Sequence, residues 1–568
     1  MKVVIIGGVA AGPKVAARLR RLSIEAEITI IEKGKLISYG SCGLPFYVGN
    51  SVPEIDDLLK TTAGLIRDSQ FFKDQKGVNI LTETEALAID RLHKNVKLRD
   101  LTTGEERELD YDYLVLATGA TEVVPPLPGV QAKNVYTLHH PDAAVQIRSL
   151  IREKKIKHAT VIGAGLIGIE TADAILSRQT KVALCESQSS VLPKLLDPNM
   201  AILLESRMRT RGIDLHLGSP VKALEKDDDN NVNRVVLENG EVETELVVIA
   251  VGVRPEVSLA RQAGLAIGVT GAIQVNQHLQ TDDPFIFAGG DCAEQIQHVT
   301  GGKTYVPLAS TANKQGRVIA DNIAGRKTEF PAICGTSVLQ AFDLNIGRTG
   351  LGEYEARQLG YDVMTSLSTG LDATHYYPVH DSVTIKLIAE ESTGRLLGAQ
   401  VCGQGESIKR LDVLATILHF NGTVSDISNL DLGYAPPFAT AIDVLIHAAN
   451  TFENKQLGLV KTITPLELLE RVKLGEQFHL VDVREDEEVM ATPFTGSNLR
   501  EIPLGELRSR YQEIPKEGDV ISVCQLGIRS YEAACFLKEK GFKDVSFLEG
   551  GMSIWEALRY QLLEYIVQ

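Results

Sequence analysis

Short apolar runs that end in glycine, each followed by a helical repeat, set the rhythm of this chain. Lys2-Val-Val-Ile-Ile-Gly7 is such a run, Val15 to Leu22 carries apolar positions at helical spacing, and Ile28 to Ile31 is a second apolar run closing on Glu32. The order recurs at Ala159-Thr-Val-Ile-Gly163, a helical stretch, Val182 to Leu184, and Glu186. Uninterrupted apolar strands flanking a helix are buried on both faces, so each unit reads as βαβ in a parallel sheet. Further strands are predicted at Tyr113 to Ala117, Leu246 to Val251 and Phe285 to Phe287. From Thr336 to about Leu445 the texture changes, with a strand at Val383 to Ile388 and a helix at Ile408 to Phe420. The polar stretch Thr451 to Gln456 reads as a linker into a small α/β unit from about Lys461 to Gln568.

The glycine turns carry the first chemistry. In Gly163-Ala164-Gly165-Leu166-Ile167-Gly168, the first glycine permits a tight turn, the second lets a pyrophosphate approach the backbone, and the third lets the helix pack on the strand. Glu186, about 20 residues further on, is placed to accept from a ribose hydroxyl and to repel a 2′-phosphate. No arginine follows it in Ser187-Gln188-Ser189, so NADH is expected and NADPH disfavoured. The first turn, Gly7-Gly8-Val9-Ala10-Ala11-Gly12, has valine where the middle glycine belongs, but keeps Gly7, Gly12 and Glu32.

A chain of 568 residues exceeds one hydrophobic core, so several domains are expected. The formal charge of −16 argues against nucleic acid and anionic membranes as partners. No apolar run approaches the ~20 residues that span a bilayer, and the N-terminus reads as a strand rather than a secretion signal, so the expected location is cytoplasmic. Seven scattered cysteines do not form a disulfide framework, and no His/Cys/carboxylate group has metal-ligand spacing, so no metal is expected.

Two further segments, Tyr113-Leu-Val-Leu-Ala117-Thr118-Gly119 and Thr281-Asp-Asp-Pro-Phe-Ile-Phe-Ala-Gly289-Gly290-Asp291, complete a resemblance to the two-dinucleotide-binding flavoprotein disulfide reductases, from Met1 to about Asn450. The resemblance implies FAD in the first unit, held by Gly7, Gly12, Glu32, Thr118, Gly119 and Asp291, with Asp291 on the ribityl chain. NADH would lie in the second, on Gly163, Gly165, Gly168 and Glu186. The paired C-x4-C of the glutathione-reductase type is missing around Cys42. Its surroundings, Ser38-Tyr39-Gly40-Ser41-Cys42-Gly43-Leu44-Pro45-Phe46, resemble the coenzyme A disulfide reductases and their persulfide-reducing relatives. There, a single thiolate beside a flavin holds a mixed disulfide with coenzyme A. The same resemblance implies coenzyme A phosphate contacts at Arg18, Arg21, Ser38, Ser41 and Lys76. It also implies a homodimer in which Tyr376 of His375-Tyr-Tyr-Pro378 and Tyr434 of Gly433-Tyr-Ala-Pro-Pro-Phe438 reach the other subunit's cysteine as proton donors. Phe438 and Phe46 stand where the family carries tyrosine.

The last segment resembles the rhodanese sulfurtransferases, in Leu480-Val-Asp-Val-Arg484, Val520-Ile-Ser-Val-Cys524-Gln-Leu-Gly-Ile-Arg529-Ser530 and Leu548-Glu-Gly-Gly-Met-Ser-Ile-Trp555. Cys524 at a strand-to-helix turn faces backbone amides that stabilise a thiolate or a persulfide anion. The C-x4-R loop ending at Arg529 fits a sulfane sulfur, and Gln525 in place of a frequent arginine makes thiosulfate a poor expectation as donor. The expected domains are therefore FAD-binding at 1–112 with 252–325, NADH-binding at 113–251, dimerisation at 326–450, linker at 451–461 and rhodanese at 462–568. The expected activity is NADH-driven reduction of coenzyme A persulfide, polysulfide or disulfide through Cys42, with Cys524 carrying sulfane sulfur. A plain coenzyme A disulfide reductase, an NADH oxidase or peroxidase using a Cys42 sulfenate, and a non-catalytic persulfide carrier or sensor remain as alternatives.

Overall fold

The computed structural model describes residues 1–153, 156–494 and 498–562. They fall into two compact units, Met1–Ser187 with Ser219–Ile333, and Gln188–Gly218 with Cys334–Gln568.

In the first unit, five parallel strands lie in the order Ile286–Ala288, Tyr113–Leu116, Lys2–Ile6, Glu27–Ile31 and Asn79–Leu81. Val4, Ile5, Ile30, Leu114 and Phe287 form a continuous core. Each fully buried side chain of this size contributes roughly 1.5–3 kcal/mol, which holds the strand ends in register. The helix Ala11–Leu22 buries Val15, Ala16 and Leu19 on this sheet and packs on the helix Ala309–Ile323. A second set of parallel strands, Val135–Thr137, Leu246–Ile249, His158–Ile162 and Lys181–Cys185, is followed from its central strand by the helix Leu166–Leu176. The predicted pair of dinucleotide-type sheets is thus present.

The second unit contains an antiparallel sheet ordered Ser337–Ala341, Leu344–Gly350, Leu396–Gly403, Ser382–Glu390 and Val363–Leu371, with helices Ser407–His419 and Val444–Gln456 packed on it. It also contains a parallel sheet ordered Lys461–Ile463, Val545–Leu548, Val520–Val523, His479–Asp482 and Leu499–Glu501. The overall class is the expected α/β one, with an α+β segment before the C-terminal α/β segment.

Two expected boundaries move. Tyr113–Leu116 does not open the second nucleotide unit; it lies between Lys2–Ile6 and Ile286–Ala288 in the first sheet, where its apolar side chains are buried on both sides. Residues 188–218 group by contacts with the second unit. Asp197 pairs with Lys386 at 2.9 Å and Arg207 with Asp343, ties that hold this stretch in the second unit. The expected linker is not one over Thr451–Gln456, which form the last turns of the helix Val444–Gln456. Its polar residues occupy one face while Ala448, Ala449 and Phe452 are buried on the other, and Asp443 caps its start through the N–H of Leu445 at 2.9 Å.

At Gly168 an added Cβ would lie 1.9 Å from the carbonyl oxygen of Gly163, whereas one on Gly165 would meet nothing within 4 Å. Gly168→Ala is therefore expected to cost about 1–3 kcal/mol by overpacking, read as a lower midpoint in urea unfolding. Gly165→Ala should leave that midpoint in place.

Candidate active site

Both glycine turns are built alike. Gly7 and Gly163 have φ of +111° and +104°, conformations that favour glycine because it has no Cβ. In the first, the carboxylate of Glu32 accepts the N–H groups of Gly8 and Gly34, each at 2.7 Å. In the second, buried Glu186 accepts from the N–H of Ala164 at 2.8 Å and the hydroxyl of Ser187 at 3.0 Å. Each acid thus lies at the mouth of its turn. The open space over Gly165 is room for a ligand's phosphates to approach the backbone.

Thr118 and Gly119 end the strand Tyr113–Leu116 on its way out of the sheet. The Thr118 hydroxyl donates to the carbonyl of Glu256 at 2.6 Å, and the Gly119 carbonyl accepts the N–H of Glu256 at 3.0 Å. Asp291 follows the strand Ile286–Ala288, and burial raises its carboxyl above the ordinary range, with His139 opposing. The neighbouring Gly290 N–H donates to Gln315 Oε1 at 2.7 Å. Gln315 Nε2 and the Tyr305 hydroxyl, whose titration burial and then the charge of Asp291 push upward, are buried polar atoms with no protein partner. Unspent donors beside a carboxylate fit a bound polar chain such as that of a flavin.

Cys42 sits in the 3₁₀ turn Ser41–Gly43 that leads into the helix Leu44–Val48, and it is exposed. Its segment is tied to the first glycine turn, because the N–H of Ser38, a buried residue at φ +50°, donates to the carbonyl of Gly8 at 2.8 Å. Among the described residues no disulfide joins any of the cysteines. The Cys42 thiol is raised above its ordinary value, first by desolvation around the sulfur and then by the negative charge of Glu170, with the Ser41 hydroxyl pulling it down. Glu170, on the helix Leu166–Leu176, is itself raised to about 7 by burial.

The basic residues divide. Arg18 is committed to Asp321 at 2.8 Å, in a pair where the side chains are 17% and 6% exposed. Arg21 is exposed, and Lys76 is half-buried at the end of the helix Ser69–Lys76. Arg20 joins the two elements by donating to the carbonyls of Lys76 at 3.0 Å and Gly77 at 2.7 Å.

In the second unit, Tyr376 and Tyr434 are 64% and 51% exposed, with Phe438 at 64% nearby in sequence. The Tyr434 hydroxyl is hydrogen-bonded to Tyr376, which raises its titration.

Cys524 ends the strand Val520–Val523 before the helix Ile528–Glu539 and is buried. Its sulfur accepts the N–H groups of Gly527 at 3.1 Å and Ser530 at 3.3 Å, so the loop presents amides to an anion on sulfur. Arg529 is held bidentately by Glu488, both contacts at 2.6 Å, and this pairing keeps the Glu488 carboxyl below its usual range. Arg484 is likewise taken by Asp482, with both side chains fully buried. The loop is therefore close to electrically neutral.

Glu170 and Glu488 were not singled out from the chain. Glu170 had a signal, as an acid two residues past Gly168 in a mostly apolar helix. Glu488 had less, as one of four consecutive acids, Glu485 to Glu488.

Residues 1–316 match the pyridine nucleotide-disulphide oxidoreductase family, 337–446 its dimerisation domain, and 464–558 the rhodanese-like domain. An NAD(P)H coenzyme A polysulfide/persulfide reductase of Pyrococcus horikoshii is 36% identical over 453 residues, covering 80% of this chain and 98% of the relative. Among solved structures, a NAD-dependent persulfide reductase from A. fulgidus is 42% identical with TM-score 0.93, covering 98% of this chain and all of the other. A reduced Bacillus anthracis CoADR-RHD is 37% identical with TM-score 0.90, covering 99% and 98%.

Two expectations follow. Glu170→Gln removes a negative charge that disfavours the Cys42 thiolate, so the pH midpoint of Cys42 alkylation, read by peptide mass spectrometry, should move downward. The difference should be present above about pH 7, where Glu170 is ionised, and fade below it. Glu488→Gln frees the Arg529 guanidinium, and the KM of the Cys524 loop for thiosulfate should fall several-fold; an unchanged KM would mean that loop charge does not select the donor.

Proposed function

This chain belongs to the pyridine nucleotide-disulphide oxidoreductase family, and on that premise we propose that it reduces coenzyme A persulfide and related sulfane sulfur with NADH, releasing hydrosulfide. The observation that carries the reading is the presence in one chain of two unlike cysteines. Cys42 is exposed and free of any cysteine partner, while Cys524 is buried with two backbone amides on its sulfur.

In this reading FAD is held by Gly7, Gly12, Glu32, Thr118, Gly119 and Asp291, and NADH by Gly163, Gly165, Gly168 and Glu186. Bound FAD supplies a two-electron relay between NADH and the sulfur of Cys42. Glu186 selects the unphosphorylated ribose, because a second anion beside a buried carboxylate is repelled. Coenzyme A lies along Ser38, Ser41, Arg21 and Lys76. Arg18, tied to Asp321, serves as a strut for its helix more than as a phosphate ligand.

The Cys42 thiolate attacks the inner sulfur of coenzyme A persulfide, forming Cys42–S–S–CoA and expelling hydrosulfide. Two electrons then cleave that mixed disulfide, restoring the Cys42 thiolate, while the departing coenzyme A thiolate takes a proton. Tyr376 and Tyr434, contributed by the second subunit of a homodimer, are the assigned proton donors; the hydrogen bond between them lets one phenol back the other. Cys524 accepts sulfane sulfur as a persulfide anion stabilised by the Gly527 and Ser530 amides, then passes it to coenzyme A. Carrying both cysteines on one chain raises the effective concentration of the reactive persulfide near its consumer.

The test is anaerobic NADH oxidation by the flavin-loaded protein, with coenzyme A persulfide and coenzyme A disulfide offered separately and sulfide measured. Fast NADH loss with one hydrosulfide per NADH from the persulfide is expected, and Cys42→Ser should lower it to background with flavin still bound. Preference for the disulfide without sulfide release would make this a thiol-pool reductase, and turnover by Cys42→Ser would remove Cys42 from the mechanism.

A further inference from the structure

Away from both cysteines, the second unit encloses one carboxylate completely. The side chain of Glu549 is 0% exposed and pairs with Lys455, itself 17% exposed. One carboxylate oxygen accepts the N–H of Leu367 at 3.0 Å, and the other receives the Lys455 ammonium, which also donates to the carbonyl of Thr365. Lys455 stands in the helix Val444–Gln456, and Thr365 and Leu367 in the strand Val363–Leu371. A residue of the rhodanese-like segment is thus gripped by a helix and a strand of the antiparallel segment. A fully buried carboxylate persists only with its partners in place, since loss of one leaves an uncompensated charge.

From Glu549 the chain enters Gly550 and Gly551, at φ +67° and +61°. A Cβ on Gly551 would lie 2.3 Å from the carbonyl oxygen of Cys524, and one on Gly550 would meet Thr369 Oγ1 at 3.3 Å. The next two amides reach the cysteine loop, Met552 N–H donating to the Cys524 carbonyl at 2.9 Å and Ser553 N–H to the Gln525 carbonyl at 3.1 Å. The Ser553 hydroxyl adds a bond to the same Gln525 carbonyl at 3.0 Å. These two carbonyls are fixed on the Gly-Gly side, and further along the same loop the Gly527 and Ser530 amides donate to the Cys524 sulfur.

We propose that Glu549 is a positioning residue for sulfur transfer: clamped by Lys455 and Leu367, it sets the Gly550–Gly551 turn against the carbonyls of Cys524 and Gln525 and so aims the Gly527 and Ser530 amides. The proposal rests on the reading of Cys524 as the sulfur carrier. Removing a pair that only strengthened the fold would lower the unfolding midpoint and leave the turnover of folded protein unaltered.

The experiment measures sulfur transfer from inorganic polysulfide to cyanide, read as thiocyanate, by the full-length flavin-loaded protein well below each variant's unfolding midpoint. Glu549→Gln, Lys455→Met and the double variant are each expected to lose about tenfold in kcat with little change in donor KM, the size of effect that a small misalignment of a preorganised site produces. Lys455→Arg, which keeps the charge, should retain most of the rate, and reduction of coenzyme A disulfide through Cys42 should be unaltered in all four. The double variant leaves no unpaired buried charge, so it decides the matter if a single variant fails to fold. A folded double variant with the parent's kcat overturns the proposal. Cys524→Ser is the reference: transfer at the parent's rate by that variant would overturn the carrier reading, and this proposal with it.

Discussion

Both nucleotide-type turns and the Cys524 loop depend on a backbone turn that has no room for a side chain. At the end of a parallel strand the chain must reverse into a helix while leaving its first N–H groups free to meet an anion. Gly12 and Gly168 meet this demand by letting a helix settle against the carbonyls of Gly7 and Gly163, where an added Cβ would lie 2.0 and 1.9 Å away. Gly551 does the same against the carbonyl of Cys524. Widen any of these contacts and the strand end, the helix start and the amides between them lose their common geometry.

Around those turns, acidic side chains are used in opposite ways according to what surrounds them. Glu32 and Glu186 are stabilised by backbone N–H groups and stand ready at the mouths of their turns. Glu170 is enclosed enough to titrate near 7 and acts on the Cys42 thiol through its charge. Glu488 is consumed by Arg529, leaving the Cys524 loop nearly neutral. The two cysteines therefore meet different electrostatics. Cys42 is exposed and works against a raised thiol value, while Cys524 is buried and relies on hydrogen bonds from amides.

The helix Val444–Gln456 shows how a polar composition can mislead. Its last turns carry Thr451, Glu453, Asn454, Lys455 and Gln456, a run that reads as solvated linker. Phe452 anchors the helix to the core, and Lys455 leaves solvent for Glu549, almost one hundred positions later. No local pattern announces such a pairing, because the partner belongs to another layer of the structure. Arg18 is the complementary case: a cation on a helix with two neighbours of the same charge looks available for phosphate, yet Asp321 takes it.

The sequence by itself determined the order of the elements, both glycine turns with their acids, and the two cysteine loops, because these signals are local. A strand, its turn and the helix that follows lie within a few residues, and their chemistry is set by residue type and spacing. Tertiary structure alone decided that Tyr113–Leu116 joins the first sheet, that Glu170 is desolvated, and that Glu488 meets Arg529 and Glu549 meets Lys455. The physical reason is that sheet membership, desolvation and ion pairing depend on what arrives from distant positions. A carboxylate's role changes with the guanidinium, ammonium or apolar wall the fold places beside it.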